Sequence, residues 1–117
     1  MSTKPTGVPS VDKLFRLDGQ VAVIAGGGNG IGRMTSHVLA QSGAQVVVID
    51  LEAGAADEVA EEIIGAGGRA MARHLDVTDE AAVVAVFGAV AAEQRRLDVL
   101  VNCAGGGKQV PAVEMGL

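Results

Sequence analysis

The chain has no tryptophan and no tyrosine, and only two phenylalanines, Phe15 and Phe87, among its 117 residues. No tyrosine hydroxyl is therefore at hand in these residues as an acid, a base or an anchor. Cysteine occurs once, at Cys103, which excludes an intrachain disulfide and gives no sign of an oxidising compartment. Basic charge is also scarce. Nine Lys and Arg stand against fourteen Asp and Glu, a net charge of -5, and Arg95-Arg96 is the one adjacent basic pair. That balance provides no field for nucleic acid or an anionic membrane, so neither is expected as a partner. Long apolar runs are missing as well: none approaches the roughly 18 residues of a spanning helix. The first residues, MSTKPTGVPSVDKLFRLDG, lack the apolar core of a signal peptide. A soluble cytoplasmic protein with a flexible leader over residues 1–18 is expected.

What the chain does have is apolar residues, at 49%, and seventeen glycines, enough for a folded core. Gln20 to Ala25, Gln45 to Asp50, Ala70 to Asp76 and Leu97 to Asn102 read as strands, three of them rich in Val and Ile and almost continuously apolar. Such strands need cover on both faces. Between them the apolar spacing turns helical. Ile31, Met34 and Val38 share one helical face, Val59 and Ile63 another, and Val83, Phe87 and Val90 a third. Ser42-Gly43 and Gly67-Gly68 fall where helices should stop, Asp79 and Glu80 open the last helix, and Arg95 and Arg96 close it. Alternating strands and helices make right-handed βαβ units and a parallel sheet. The expected fold is α/β, a Rossmann-like doubly wound parallel sheet, incomplete, of about four strands and three helices. It occupies residues 19–105, with residues 106–117 as a truncated tail.

At the first strand-to-helix junction stands VIAGGGNGIGR, Val23 to Arg33. Ligands of such sheets bind outside the carboxyl ends of the strands, where a helix N-terminus offers unpaired N–H groups to a phosphate. The glycines suit that task. Gly26 can take a turn closed to other residues, Gly30 lets backbone approach a pyrophosphate, and Gly32 allows close packing of helix on strand. The spacing is GxxxGxG rather than GxGxxG, with Gly28, Asn29 and Ile31 completing the candidate surface. Asp50 ends the second strand, 24 residues after Gly26 and 18 after Gly32. An acid there accepts hydrogen bonds from both adenosine ribose hydroxyls and repels a 2′-phosphate. Asp50 and its neighbour Leu51 are accordingly expected at that ribose, and NAD is expected over NADP. Asn29 is uncharged, which leaves Arg33 as the one cation near the loop that a 2′-phosphate would find.

These residues resemble a known family. Ala25-Gly26-Gly27-Gly28-Asn29-Gly30-Ile31-Gly32 resembles the TGxxxGIG loop of the short-chain dehydrogenase/reductase family, Leu75-Asp76-Val77-Thr78-Asp79 its DVTD segment, and Val101-Asn102-Cys103-Ala104-Gly105 its NNAG segment. The likeness runs from about Leu14 to Gly105. It implies that Asp76 contacts the adenine amino group, that Val77 lies along the adenine, and that Asn102, Ala104 and Gly105 line the adenosine ribose. Ala25 stands where the family has Thr, and Cys103 where it has a second Asn. The resemblance also implies a Ser, Tyr and Lys for hydride transfer, all placed after the NAG segment. Here the last serine is Ser42 and Lys108 stands by itself. His37, in the first helix, and His74, in the third strand, read as ordinary residues of their elements, so no catalytic residue is assigned.

The function implied is an oxidoreductase moving a hydride between a nicotinamide dinucleotide and an alcohol or ketone, with this chain holding the cofactor half and inactive alone. A non-catalytic NAD-binding module and an S-adenosylmethionine-dependent methyltransferase are the alternatives. Family members usually form homo-oligomers. The fourth strand is expected as an open edge, which would make the chain prone to aggregate. Cys103 reads as a small buried residue, Glu58, Glu61 and Glu62 as a solvated helix face, and no metal site is expected.

Overall fold

The computed structural model describes residues 7, 8 and 10–104. Four parallel strands, β1 (Val21–Ala25), β2 (Gln45–Asp50), β3 (Arg69–His74) and β4 (Val99–Asn102), form one sheet in the order β3-β2-β1-β4. The helices are α1 (Val11–Leu14), α2 (Gly30–Gln41), α3 (Ala53–Gly65) and α4 (Glu80–Gln94). α1, a single turn, lies within the segment expected as a leader, and just beyond it Leu17 packs on the core while its backbone N–H donates to the Ser42 carbonyl at 2.7 Å.

The continuous apolar runs of β1 and β2 are both-faced, and alternation decides which helix each residue meets. Ala22, Ile24, Val46 and Val48 join Ala40 of α2 and Ala56, Val59 and Ile63 of α3 on one side. Val21, Val23, Val47 and Ile49 meet Val90 on the other, with Val83 and Phe87 of α4 packed against them. Each fully buried Val or Ile stabilises by about 1.5–3 kcal/mol. These two strands consequently form the centre of the fold.

Strand ends differ from the expected bounds for a reason of pairing. β3 stops at His74 rather than Asp76, because β2 is its one partner and the ladder ends where Asp50 meets His74. Beyond it the Leu75 N–H still donates to the Asp50 carbonyl at 3.0 Å and its side chain is buried, and Asp76 follows at the sheet's end. The punctuation falls as expected: Gly43 and Gly67 follow α2 and α3 with φ of +102° and +91°, and the Asp79 carboxylate accepts from Ala82 N–H at 3.1 Å.

The apolar face of α2 turns out differently. Ile31, Met34 and Val38 are exposed by 79%, 67% and 50%, whereas Gly32, Ser36 and Ala40 face the sheet. The helix runs so close to the loop before it that only small side chains fit beneath. A Cβ on Gly32 would overlap the Gly26 carbonyl, and Ser36 Oγ donates to the Gly32 carbonyl at 2.9 Å.

β4 is short and half-exposed, and a side chain fastens it. The Asp98 carboxylate accepts from Val21 N–H at 2.8 Å and from both nitrogens of the Arg96 fork at 2.7 and 2.8 Å. Those bonds, the Arg96 fork first and Val21 second, hold its carboxyl below the ordinary value of 3.8. A depressed carboxylate stabilises the fold above its unfolded pKa, and that stability is lost as pH falls through the lower folded value. Wild-type melting temperature should therefore decline as pH drops below about 4, more steeply than in Asp98→Asn, whose melting curve collected across pH 2–6 should be lower at pH 6 and flatter. Equal slopes would show that Asp98 is not the clip. Among the described residues no helix is long and apolar enough to cross a membrane.

Candidate functional site

The carboxyl ends of all four strands converge on an open crevice of about 560 Å³. Its floor is the glycine turn. Gly26 adopts φ +77°, and both its N–H and that of Gly27 donate to the Ile49 carbonyl, at 2.8 and 3.1 Å, so β2 holds the loop down. On the other side the loop touches the end of β4: a Cβ on Gly26 would stand 2.5 Å from the Ala104 nitrogen. Gly30 opens α2 with φ +56° and has only open space where a side chain would project. Asn29 occupies the N-cap without a side-chain hydrogen bond, and no acid lies in the first turn. The leading N–H groups of α2 are thus left without a capping side chain.

Asp50 stands beside this loop. Its Oδ2 accepts from Gly28 N–H and its Oδ1 from Glu52 N–H, each at 3.0 Å, which fixes the carboxylate as a two-oxygen acceptor. Gly28 is required for that approach, since a Cβ there would come within 2.8 Å of Oδ2. Across the crevice, Asp76 Oδ1 accepts from both the hydroxyl and the N–H of Thr78, at 2.6 and 2.9 Å. Those two bonds hold its carboxyl below the usual carboxylate range, and both fall on Oδ1, so that among the described residues Oδ2 has no hydrogen-bond donor. The cap of α4 is Asp79, so Asp76 is not needed for that role.

Of the expected site residues, Gly26, Asn29, Gly30, Asp50, Leu51, Asp76, Val77 and Ala104 line the crevice. Gly28 and Gly32 lie behind it as spacers. Ile31 points to solvent on the first turn of α2, and Asn102 uses its side-chain carbonyl to accept from Ala104 N–H at 3.2 Å. Gly105, like Gly106, Gly107 and Lys108, lies outside the described residues. Cys103 corrects the expectation of a buried thiol: it is partly exposed and lines the crevice. Ile49, Leu75, Glu52 and Thr78 complete the wall. The first two carried a signal as apolar strand-end residues, but nothing in their spacing marked them as site residues.

Arg33 does not face the crevice. It reaches across to α3, paired with Glu62 and 3.7 Å from Glu58. Glu62 also meets His37 Nε2 at 2.8 Å, and His37 first, then Arg33, holds its carboxyl below the ordinary range. Glu62 is therefore no member of a solvated face, as its spacing implied, but a half-buried bridge between two helices. Among the described residues no group of three His, Cys, Asp or Glu could hold a metal.

The family model described as short chain dehydrogenase matches residues 20–116, and the chain belongs to that family. It is 43% identical to the D-threitol dehydrogenase of Mycolicibacterium smegmatis over 108 residues, 92% of this chain and 42% of that protein. It is also 43% identical to the 7α-hydroxysteroid dehydrogenase of Escherichia coli over 97 residues, 83% of this chain and 38% of that one. A solved 7α-hydroxysteroid dehydrogenase complexed with NADH and 7-oxo glycochenodeoxycholic acid superposes with a TM-score of 0.83 at 40% identity, covering 93% of this chain and 42% of the other. A metagenomic short-chain oxidoreductase in complex with NADP gives 0.78 at 38%, covering 86% and 46%. The chain thus spans about two fifths of the curated relatives it matches.

Proposed function

We propose that this chain binds NAD by its adenosine half, as the cofactor-holding portion of a short-chain dehydrogenase acting on an alcohol or ketone. The observation that carries the reading is the Asp50 carboxylate, fixed at the crevice wall by Gly28 and Glu52 N–H groups, one on each oxygen, so that each oxygen keeps a lone pair for a further donor. A vicinal diol presents two donors, and a two-oxygen acceptor matches it. The cradle fits the rest: Gly26 lets the loop close against the end of β4, Gly30 lines the crevice with no side chain to fill it, and the start of α2, without a capping side chain, offers N–H groups to a pyrophosphate. Asp76 Oδ2 remains for an adenine amino group, with Val77 and Leu51 as apolar walls for the base. Ala104 completes the ribose side, and Asn102, whose side-chain carbonyl accepts from the Ala104 N–H, supports it.

Charge supports NAD over NADP. Asp50, Glu52 and Asp76 line the crevice, and none of the described lining residues is a cation. Among the described lining residues a 2′-phosphate would meet like charge with no cation to offset it. Bound nicotinamide supplies or accepts the hydride; these residues position the nucleotide. With no tyrosine in the chain, the acid/base that the family resemblance implies is not among them, and the chain is expected to be inactive alone. The dehydrogenase relatives support the reaction class, and self-association is part of the reading, as is a cytoplasmic location, where a lone thiol such as Cys103 stays reduced.

Thermal melting of the chain with NADH, NADPH and S-adenosylmethionine tests the reading. NADH should raise the melting temperature at concentrations where the other two leave it unchanged. A rise with S-adenosylmethionine alone would overturn it in favour of a methyltransferase.

A further inference from the structure

The one arginine on the first turns of α2 is turned away from the nucleotide crevice, and the structure shows what holds it there. Ala55 and Asp50 are neighbours of the glycine loop: a Cβ on Gly28 would stand 2.9 Å from Ala55 Cβ and 2.8 Å from Asp50 Oδ2. With a helical rise of about 1.5 Å per residue, Glu58 lies roughly 4.5 Å and Glu62 roughly 10 Å further along α3. Arg33 pairs with both. Its guanidinium is thus parked on the same helix that flanks Asp50, one to two turns from it, at the end of a stem long enough to sweep that distance. His37 meets the other oxygen of Glu62 at 2.8 Å and helps to fix the carboxylate that receives Arg33.

We propose that Glu62, assisted by Glu58, is a specificity-determining residue of this site: it latches Arg33 away from the adenosine ribose and so denies a 2′-phosphate its cation. The inference rests on the NAD reading above. Discrimination then has two parts at separate places, repulsion by Asp50 at the ribose and withholding of Arg33 on α3. Removing the charge of Asp50 alone relieves the repulsion at the ribose, with Glu52 and Asp76 still lining the crevice, and leaves the phosphate without a partner. Releasing Arg33 as well supplies a planar fork suited to bidentate phosphate binding. Glu62 and Glu58 touch no part of the crevice, so NADH affinity is indifferent to them.

The test is equilibrium binding of NADH and NADPH to the 117-residue chain and three variants: Asp50→Asn, Asp50→Asn with Glu58→Gln and Glu62→Gln, and that triple variant with Arg33→Ala. NADPH affinity should rise about tenfold or more when the two glutamates are changed in the Asp50→Asn background, the size of one charge-assisted contact. The gain should vanish with Arg33→Ala and shrink in 1 M salt, while NADH affinity is the same with and without the glutamates. Equal NADPH affinity before and after the glutamate changes overturns the latch. Arg33→Ala in the otherwise wild-type chain is the second check: a loss of NADH affinity there would mean that Arg33 already reaches the dinucleotide, which also overturns it. Failure of the wild type to bind either nucleotide would instead sink the NAD reading itself.

Discussion

Gly26→Ala should cost the fold about 2–5 kcal/mol and abolish nucleotide binding with it. Two effects add. A side chain at φ +77° costs about 1–2 kcal/mol over glycine. The new methyl would also press on the backbone of Cys103 and Ala104, 2.5–2.7 Å away, and overpacking of that kind costs about 1–3 kcal/mol. Neither contact is with the end of a flexible side chain that could swing aside. At roughly 4–8 °C per kcal/mol for a domain of this size, melting should fall by about 10 °C or more. Gly30→Ala makes the contrasting case. Its φ of +56° carries the conformational cost alone, since its Cβ would enter open space, so the fold should lose about 1–2 kcal/mol. Gly30 lines the crevice, however, and NADH affinity should fall even though the protein folds. Thermal melting of both variants, with and without NADH, separates the two roles: similar melting temperatures for Gly26→Ala and wild type would mean that the loop is not closed against β4.

That contrast also marks what a sequence can disclose. The Val and Ile runs of β1 and β2, the stops at Gly43 and Gly67, the capping acid Asp79 and the helical triplet Val83, Phe87 and Val90 are local signals, and each produces its element. Alternating strands and helices make the sheet parallel by connection rules that need no contact to be known, although those rules leave the order β3-β2-β1-β4 open. Legibility ends where residues distant in sequence meet. Glu62 looked like part of a solvated acidic face because its partners, Arg33 and His37, belong to another helix. Cys103 looked like a buried small residue, yet the turn after β4 brings it to the crevice wall. The periodicity of Ile31, Met34 and Val38 was real but misleading about direction. Close approach at Gly32 reverses the usual rule, so the small side of α2 packs inward and its larger apolar residues remain exposed. Among the described residues β4 adds to this exposed apolar surface, with Leu100 56% exposed.

Asp50→Ala should lower NADH affinity about 10- to 100-fold, the equivalent of about 1.5–3 kcal/mol for hydrogen bonds to a charged acceptor. The loss has two sources that a second variant separates. Alanine removes the acceptor for the ribose and also leaves Gly28 N–H and Glu52 N–H without theirs, so the loop loosens and the melting temperature drops. Asp50→Asn keeps an oxygen for one of those donors while removing the charge. It should retain more stability and more NADH affinity than alanine, yet lose as much of the discrimination against NADPH, because repulsion of the 2′-phosphate depends on charge rather than on hydrogen-bonding shape. Salt distinguishes the same two contributions in the wild type. Raising ionic strength from about 0.1 to 1 M shortens the screening length from roughly 10 to 3 Å. NADPH binding should therefore improve relative to NADH in the wild type and change little in Asp50→Asn. Titration calorimetry on the three proteins at two salt concentrations reads every one of these differences. Wild-type protein that binds NADPH at least as tightly as NADH at low salt would show that Asp50 does not face the ribose, and the assignment of the crevice to NAD would fall with it.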